Sequence, residues 1–275
     1  MTWRLKVIHT TNFQYESEVT ASFNEARMSP KNVDNQFLIQ HKFKVTPSAS
    51  IYEYVDYFNT TVNSFDVQTP HTALKIVAES VVETQTPIEP TRFITWAELD
   101  SQTTQDKFAE YLELTQLVDQ ITTSFALRDQ DSPLAAVHFL NNSMREQIMY
   151  TPGATNVYSP ASEAWEKRAG VCQDFTHASL SILRASGIPA RYISGYLYHG
   201  DGDIGEVVVG ESHSWVEAWV GQWLPFDPTN GRPVAEDHVI VAKGRDYHDV
   251  SPLKGIFSGG ASRKTEVTVA LTRLS

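Results

Sequence analysis

The sequence is poor in cysteine, in basic residues and in long apolar runs. Its 275 residues include a single cysteine, Cys172, so no disulfide can form within the chain. A free thiol is best preserved in a reducing compartment, and we therefore expect a cytoplasmic protein. No stretch approaches the roughly eighteen uninterrupted apolar residues of a spanning helix, and the first residues lack the apolar core of a secretion signal. Neither export nor a membrane partner is predicted.

The charge balance argues against a nucleic-acid partner. The chain carries 22 basic and 33 acidic residues, which gives a formal net charge of −11 at pH 7. The basic residues are scattered rather than grouped into a stripe, so the surface repels a phosphate backbone on average. The chain is long enough to bury a large core, as one large domain or two modest ones.

The sequence pattern changes near residue 88. Before that point, short runs rich in Val, Ile, Phe, Tyr and Thr are broken by Pro and Asn, which is typical of an antiparallel β-sandwich. Residues 84–90 place two prolines among polar residues and predict an extended linker. The sequence therefore predicts an α+β protein with an N-terminal β-sandwich domain over residues 1–88 and a second domain over residues 89–275.

The second segment begins with a helical pattern and continues into a mixed core. Apolar residues recur at helical intervals from Phe108 to Ile121, and Ser132 followed by Pro133 predicts a helix through Ile148. Another helix is predicted to begin at Cys172, because apolar residues follow at three- and four-residue steps until Gly187. The runs 192–197, 215–220 and 223–226 predict strands of one antiparallel sheet packed on that helix.

Cys172 occupies the position of a nucleophile. A helix N-terminus offers unpaired N–H groups and a partial positive charge, which favour a thiolate. Further along the chain, His213 is available as a base and Asp227 as the carboxylate that orients it. Taken singly, Cys172 is an ordinary buried residue, His213 a core or surface histidine and Asp227 a turn former. Only the three together predict a catalytic site.

Three short segments together resemble the transglutaminase-like superfamily. They are residues 170–175 (GVCQDF), 213–215 (HSW) and 226–229 (FDPT), with residues 187–192 (GIPARY) between the first two. The N-terminal segment, including residues 23–30 (FNEARMSP), is similar to the β-rich N-terminal region of bacterial transglutaminase-like proteins, which are described as predicted cysteine proteases. Gln173 stands where arginine is common and Ser214 where alanine is common, and we expect both to affect substrate choice.

This resemblance implies a transglutaminase- or papain-like core that acts on a peptide or protein substrate. Cys172, His213 and Asp227 would form a catalytic triad that transfers an acyl group from a peptide or isopeptide amide through a thioester. Hydrolysis of the thioester makes a cysteine peptidase or amidase, which family resemblance favours. Attack by an amine makes a cross-linking transglutaminase, and a binding module that keeps the fold without turnover is the third alternative. No cofactor is implied, and the oligomeric state stays open.

Two details of the chemistry follow from the predicted elements. The backbone N–H of Cys172 is expected to stabilise the oxyanion, with the second donor left open. A two-residue turn at Gly221-Gln222 would place Val216 opposite Asp227 and send His213 and Asp227 to opposite faces of the sheet. We therefore expect a bulge near Pro225, which cannot donate to a sheet ladder, to re-aim Asp227.

The remaining polar candidates are interpreted as structural. Asp174 and His177 are expected to make local hydrogen bonds or to pack, and Trp215 to belong to the core. Residues 200–205 match a dinucleotide-binding string by letters alone, but a β-type run follows, so we predict a loop. A metal site is not predicted, because with a single cysteine the remaining candidates are interpreted as ordinary surface residues: His238, Asp246, His248 and Asp249.

Overall fold

The computed structural model describes residues 2–88, 91–260 and 263–275. Within them the strands are β1 (Thr2–Ala26), β2 (Gln36–Thr46), β3 (Ile51–Val55), β4 (Thr61–Val67), β5 (His71–Gln85), β6 (Met149–Tyr150), β7 (Ala169–Gly170), β8 (Ala190–Leu197), β9 (Val207–Gly210), β10 (His213–Trp219), β11 (Trp223–Asp227), β12 (Arg232–Pro233), β13 (His238–Gly244), β14 (Leu253–Gly259) and β15 (Arg263–Arg273).

The helices lie mostly in the middle of the chain. They are α1 (Trp96–Leu99), α2 (Gln102–Lys107), α3 (Pro133–Gln147), α4 (Ala161–Lys167), α5 (Cys172–Ala185) and α6 (Tyr247–Val250), with short 3-10 helices at Ala109–Tyr111 and Leu127–Asp129. Among the described residues, none of the helices is long and apolar enough to cross a membrane.

Strand β1 is the long central strand of an eight-stranded antiparallel sheet and pairs with four other strands. Its first half pairs with β5 and β15, and its second half pairs with β4 and β14. The sheet curls, so that Phe65 of β4 and Ile76 of β5 share one core cluster with Phe13 of β1. Side chains along β1 alternate between buried and exposed, as expected of a strand with one face on a core. The predicted antiparallel sandwich is confirmed.

The sheet of the N-terminal segment also contains strands from the end of the chain. β9, β14 and β15 all follow the central helix in sequence and join this sheet. Leu5, Val7 and Val82 accordingly share a core cluster with residues of α5 and β8. Residues 89 and 90, which contain part of the predicted linker, lie outside the described residues. The division of the chain at residue 88 stays a prediction, and three strands from beyond it join the first sheet.

The second sheet carries the central helix, as predicted. Its strand order is β12-β11-β10-β8-β13, and all of its pairings are antiparallel. Helix α5 packs against β10 and β8 and is almost completely buried. Gly187 follows the end of α5 with φ of +74°, a left-handed conformation that glycine adopts readily. The α+β class with a central helix on an antiparallel sheet is confirmed.

The helix predicted between Phe108 and Ile121 is wrong. Residues 112–126, all of them described, form neither helix nor strand. Their backbone carbonyls accept hydrogen bonds from other elements instead: from Ala161 N–H to Leu117, from the Ser181 hydroxyl to Asp119 and from the Trp165 indole to Thr122. Leu117, Val118 and Ile121 are buried without forming a helix, while Leu114 is exposed, because tertiary contacts outweigh a helical spacing of apolar residues.

Candidate active site

Cys172 lies at the first residue of α5, in a groove of about 990 Å³. It is partly exposed there. Asp174 closes the turn before it by accepting hydrogen bonds from Val171 N–H and from the Thr155 hydroxyl, both at 2.7 Å. A Cβ on Gly170 would lie 2.5 Å from the Asp174 carboxylate, so only glycine fits at that position. Asp174 therefore has the local structural role that was expected of it.

His213 begins β10 and faces Asp227, the last residue of β11. The distance from His213 Nε2 to Asp227 Oδ2 is 2.8 Å. His213 also adjoins Cys172, since each of the two side chains shifts the pKa of the other, and Nδ1 is the ring nitrogen that Asp227 leaves free for the sulfur. The structure thus brings the thiol, the imidazole and the carboxylate of the three predicted site residues together in one row.

The expected bulge near Pro225 is wrong, and the strands meet in a different register. Trp219 pairs with Trp223 and Val216 with Phe226, without a break along the ladder. The connection is therefore a three-residue turn, closed by a 3.0 Å hydrogen bond from Val220 N–H to the Gln222 carbonyl, with Gly221 at φ +108°. This register continues to a position where Trp215, not Val216, stands level with Asp227. His213 and Asp227 then point to the same face by simple alternation.

Asp227 is buried and holds the base through several hydrogen bonds. Its Oδ1 accepts from the backbone N–H groups of Thr229 (3.0 Å) and Asn230 (3.2 Å). Its Oδ2 accepts from the Asn230 side-chain amide at 2.6 Å, besides His213. Burial alone would raise the pKa of this carboxyl, but the hydrogen bonds from His213, His238 and Asn230 hold it well below its usual range. Asp227 is therefore an anion over the physiological pH range.

Charge separation is favoured between Cys172 and His213. Burial would raise the pKa of the Cys172 thiol, but hydrogen bonds and the charge of His213, together with hydrogen bonds from Ser214, lower it. Burial would lower the pKa of His213, but its bonds to Asp227 and Cys172 raise it to about 10. Both shifts favour a thiolate beside an imidazolium, which is the reactive form of a thiol nucleophile.

The groove walls differ on its two sides. One wall is apolar and aromatic and includes Met149, Tyr150 and Val157, all exposed. The pKa of Tyr150 is raised by burial and by the negative charges of Cys172 and Glu211, which line the same groove. At the back, the Ser214 hydroxyl lies 3.1 Å from that of Thr176. Ser214, one of the two departures from the family pattern, is also among the groups that lower the pKa of the Cys172 thiol.

The sequence interpretation missed His238, which was taken as an ordinary surface residue. Its ring is completely buried and its Nε2 lies 3.4 Å from Asp227 Oδ2. The sequence does contain a signal for it. The apolar run 239–242 predicts a buried strand, and His238 directly precedes that run. The ligand atoms of His213, Asp227 and His238 all lie within 4.8 Å of one another, close enough for a metal ion. Since two imidazoles and an amide already converge on Asp227 Oδ2, the same contacts describe a hydrogen-bonded network.

The other polar candidates lie away from the sulfur or serve the scaffold. His177 is fully buried, accepts a 3.3 Å hydrogen bond from Tyr247 N–H, and has its pKa lowered to about 3 by burial and by Arg184. Trp215 is fully buried and stacks on His213, with ring centres 5.9 Å apart.

The surface interpretation of Asp246 is wrong. Asp246 is buried and caps α6, while Asp249 pairs with Arg245. His248 is half exposed. Residues 200–205 form the predicted loop between β8 and β9.

Two family models match this chain over separate segments. Residues 119–228 match the transglutaminase-like superfamily core, and residues 5–83 match the bacterial transglutaminase-like N-terminal region. An uncharacterized protein of Mycobacterium leprae is 41% identical over 278 residues, covering 99% of this chain and 100% of that protein.

Two further similarities concern the fold and the core. The crystal structure of a proposed cysteine protease from Cytophaga hutchinsonii superposes with a TM-score of 0.74 at 18% identity, covering 99% of this chain and 98% of that one, and so supports the fold alone. A protein-glutamine gamma-glutamyltransferase of Pseudomonas aeruginosa is 32% identical over 120 residues, which are 41% of this chain and 17% of that protein.

Proposed function

Because the chain belongs to the transglutaminase-like superfamily, we propose that it is an enzyme that transfers acyl groups from peptide or isopeptide amides through a thioester on Cys172. Hydrolysis is the favoured outcome, which makes it a cysteine peptidase or amidase. The observation that carries the proposal is the His213–Asp227 contact of 2.8 Å beside a thiol whose pKa is lowered. Such a row of groups is what activation of a thiol nucleophile requires.

The reaction follows from the charges already in place. The Cys172 thiolate attacks the amide carbonyl carbon, and the carbonyl oxygen takes the negative charge beside the N-terminus of α5. Protonated His213 gives its proton to the amide nitrogen, the C–N bond breaks and the amine leaves, with the thioester left on the sulfur. Neutral His213 then removes a proton from water, the hydroxide attacks the thioester, and the acid and the thiolate are released. Asp227 holds the imidazole and balances its charge throughout.

The alternative is transfer to an amine in place of water, which would make the protein a cross-linking transglutaminase. The similarity of its core to the gamma-glutamyltransferase of Pseudomonas aeruginosa favours this alternative, although it covers only 41% of the chain. Both outcomes share every step up to the thioester. A binding module without turnover is disfavoured, because it would not require a thiol, an imidazole and a carboxylate in one hydrogen-bonded row.

Incubation of the full chain with casein and a fluorescent primary amine separates the outcomes. A peptidase is expected to generate new N-termini, and a transglutaminase to attach the fluorescent amine to casein. Cys172→Ala is the control, because it removes the sulfur from the groove with little change in volume. Wild-type protein that does neither, or a Cys172→Ala variant that is equally active, would contradict the proposal.

A further inference from the structure

His238 is held between two carboxylates behind the candidate active site. Its Nδ1 lies 2.6 Å from Asp237 Oδ1, and its Nε2 lies 3.4 Å from Asp227 Oδ2. Asp237 in turn accepts a 2.6 Å hydrogen bond from Arg232, whose side chain reaches the surface. The buried imidazole therefore connects the carboxylate that contacts His213 to a surface ion pair.

These contacts define the protonation of the ring. A carboxylate oxygen only accepts hydrogen bonds, so a ring nitrogen that faces one must carry a proton. The N–H of Ala235 also points at Nδ1, from 3.3 Å, but the charged Asp237 is much closer and outweighs it. The hydrogen-bond geometry therefore favours a proton on each ring nitrogen of His238.

We propose that His238 is a positioning residue for the acyl transfer, which keeps Asp227 ionised and directed at His213. The inference rests on the proposed function of Cys172. Charges then alternate in sign from the groove to the surface: the Cys172 thiolate, His213, Asp227, His238, Asp237 and Arg232. Each ion in this row has an oppositely charged neighbour, which is the condition under which buried charges persist.

The environment of Asp227 shows why a second cation matters. Asp227 is completely buried, and besides His213 its hydrogen-bond donors are neutral amides, with His238 as the other ring that contacts it. Trp215 keeps the two imidazoles in place, because it stacks on His213 and meets the edge of His238 with ring centres 5.1 Å apart. Loss of His238 would leave Asp227 with one charged partner and would weaken its hold on His213.

The test uses the pH dependence of Cys172 alkylation by iodoacetamide in the full chain. In His238→Phe, which keeps an aromatic ring but removes both donors, the acid midpoint of alkylation is expected to rise by about one pH unit. In His238→Gln the midpoint should stay closer to wild type, because the glutamine amide can still donate to Asp227. Ile240→Val is the matched control: it also thins the packing around Trp215, from the same strand, but does not contact Asp227. It should leave the midpoint unchanged.

A second measurement is independent of thiol reactivity. The His213 Nε2–H proton, held by Asp227, should give a solvent-protected NMR signal that is lost in His238→Phe and retained in His238→Gln and Ile240→Val. Should His238→Phe fail to fold, Asp237→Asn, which removes the charge that keeps Nδ1 protonated, is expected to raise the midpoint in the same direction.

The results separate this inference from the proposed function. If Cys172 of the wild-type chain is alkylated with the midpoint of a free thiol, the proposed function is contradicted. The NMR signal would still test the role of His238. An unchanged signal in His238→Phe, or an equal change in Ile240→Val, would overturn the positioning role.

Discussion

At the scale of single residues, the reactivity of Cys172 comes from its neighbours rather than from its type. A cysteine with an ordinary pKa of about 8.5 is only a few per cent thiolate at neutral pH. Here the imidazolium of His213 supplies the favourable charge, and Asp227 keeps that imidazole protonated. The chemistry therefore depends on three side chains from three different elements.

Alkylation of Cys172 by iodoacetamide should consequently have a midpoint well below pH 8.5, the value for a free thiol. His213→Ala removes the cation, and because burial is a larger effect than the remaining hydrogen bonds from Ser214, the midpoint is expected to rise to that value or above it. Rates measured between pH 4 and pH 10 by mass spectrometry of the alkylated chain would check this. A wild-type midpoint at or above 8.5 would leave the site without an activated nucleophile.

At the scale of elements, the sequence predicted the helix starts that are set by local interactions. Helix α3 begins as expected, with the Ser132 side chain accepting from Ala135 N–H, and α5 begins at Cys172. The helix predicted from Phe108 to Ile121 does not form beyond one short 3-10 turn, since the carbonyls of Leu117 and Asp119 accept hydrogen bonds from α4 and α5. Spacing of apolar residues reports which side chains are buried, but backbone partners decide whether they are buried in a helix.

The start of α5 offers a test at this scale. Gly170→Ala would push a Cβ against the Asp174 carboxylate, which closes the first turn through Val171. We expect the variant to lose about 1–3 kcal/mol in free energy of unfolding and to alkylate more slowly at Cys172. Asp174→Asn in the Gly170→Ala background should add less than it does in the wild type, because the same contact is already disturbed. Urea unfolding would measure the free-energy losses of the two single variants and of the double variant. If the two single losses add up fully in the double variant, the contact between these residues is not shared.

At the scale of the whole molecule, the two sheets are joined by buried polar contacts as well as by a shared core. His9 of β1 lies 3.0 Å from the Tyr196 hydroxyl of β8, and Gln36 exchanges two hydrogen bonds with the backbone of Ile240 in β13. Burial lowers the pKa of His9 to about 4, so this histidine is neutral in the folded protein near neutral pH. Protonation of His9 therefore weakens the packing of the two sheets.

Acid should destabilise the fold through His9 in a predictable window. The unfolded state binds a proton on this histidine near pH 6.5, while the folded state does so only near pH 4. Stability that is fully present above pH 6.5 is thus lost as the pH falls towards 4, at up to about 1.4 kcal/mol per pH unit. His9→Gln should flatten this slope in urea unfolding, and His138→Gln, at an exposed histidine of α3, should not. An unchanged slope in His9→Gln would refute the assignment.

By itself, the sequence indicated the candidate reacting groups and several of the local elements. Cys172 at a helix start and the period-two strands can be read from residue types and spacing, because capping and alternation are short-range effects, and the roles of His213 and Asp227 follow from the family resemblance. Only the tertiary structure decided that a three-residue turn puts His213 and Asp227 on one face, that the end of the chain returns to the first sheet, and that His238 is buried behind Asp227. The reason is physical: one residue of register reverses every side chain of a strand, and partners far apart in sequence meet only when the sheets assemble.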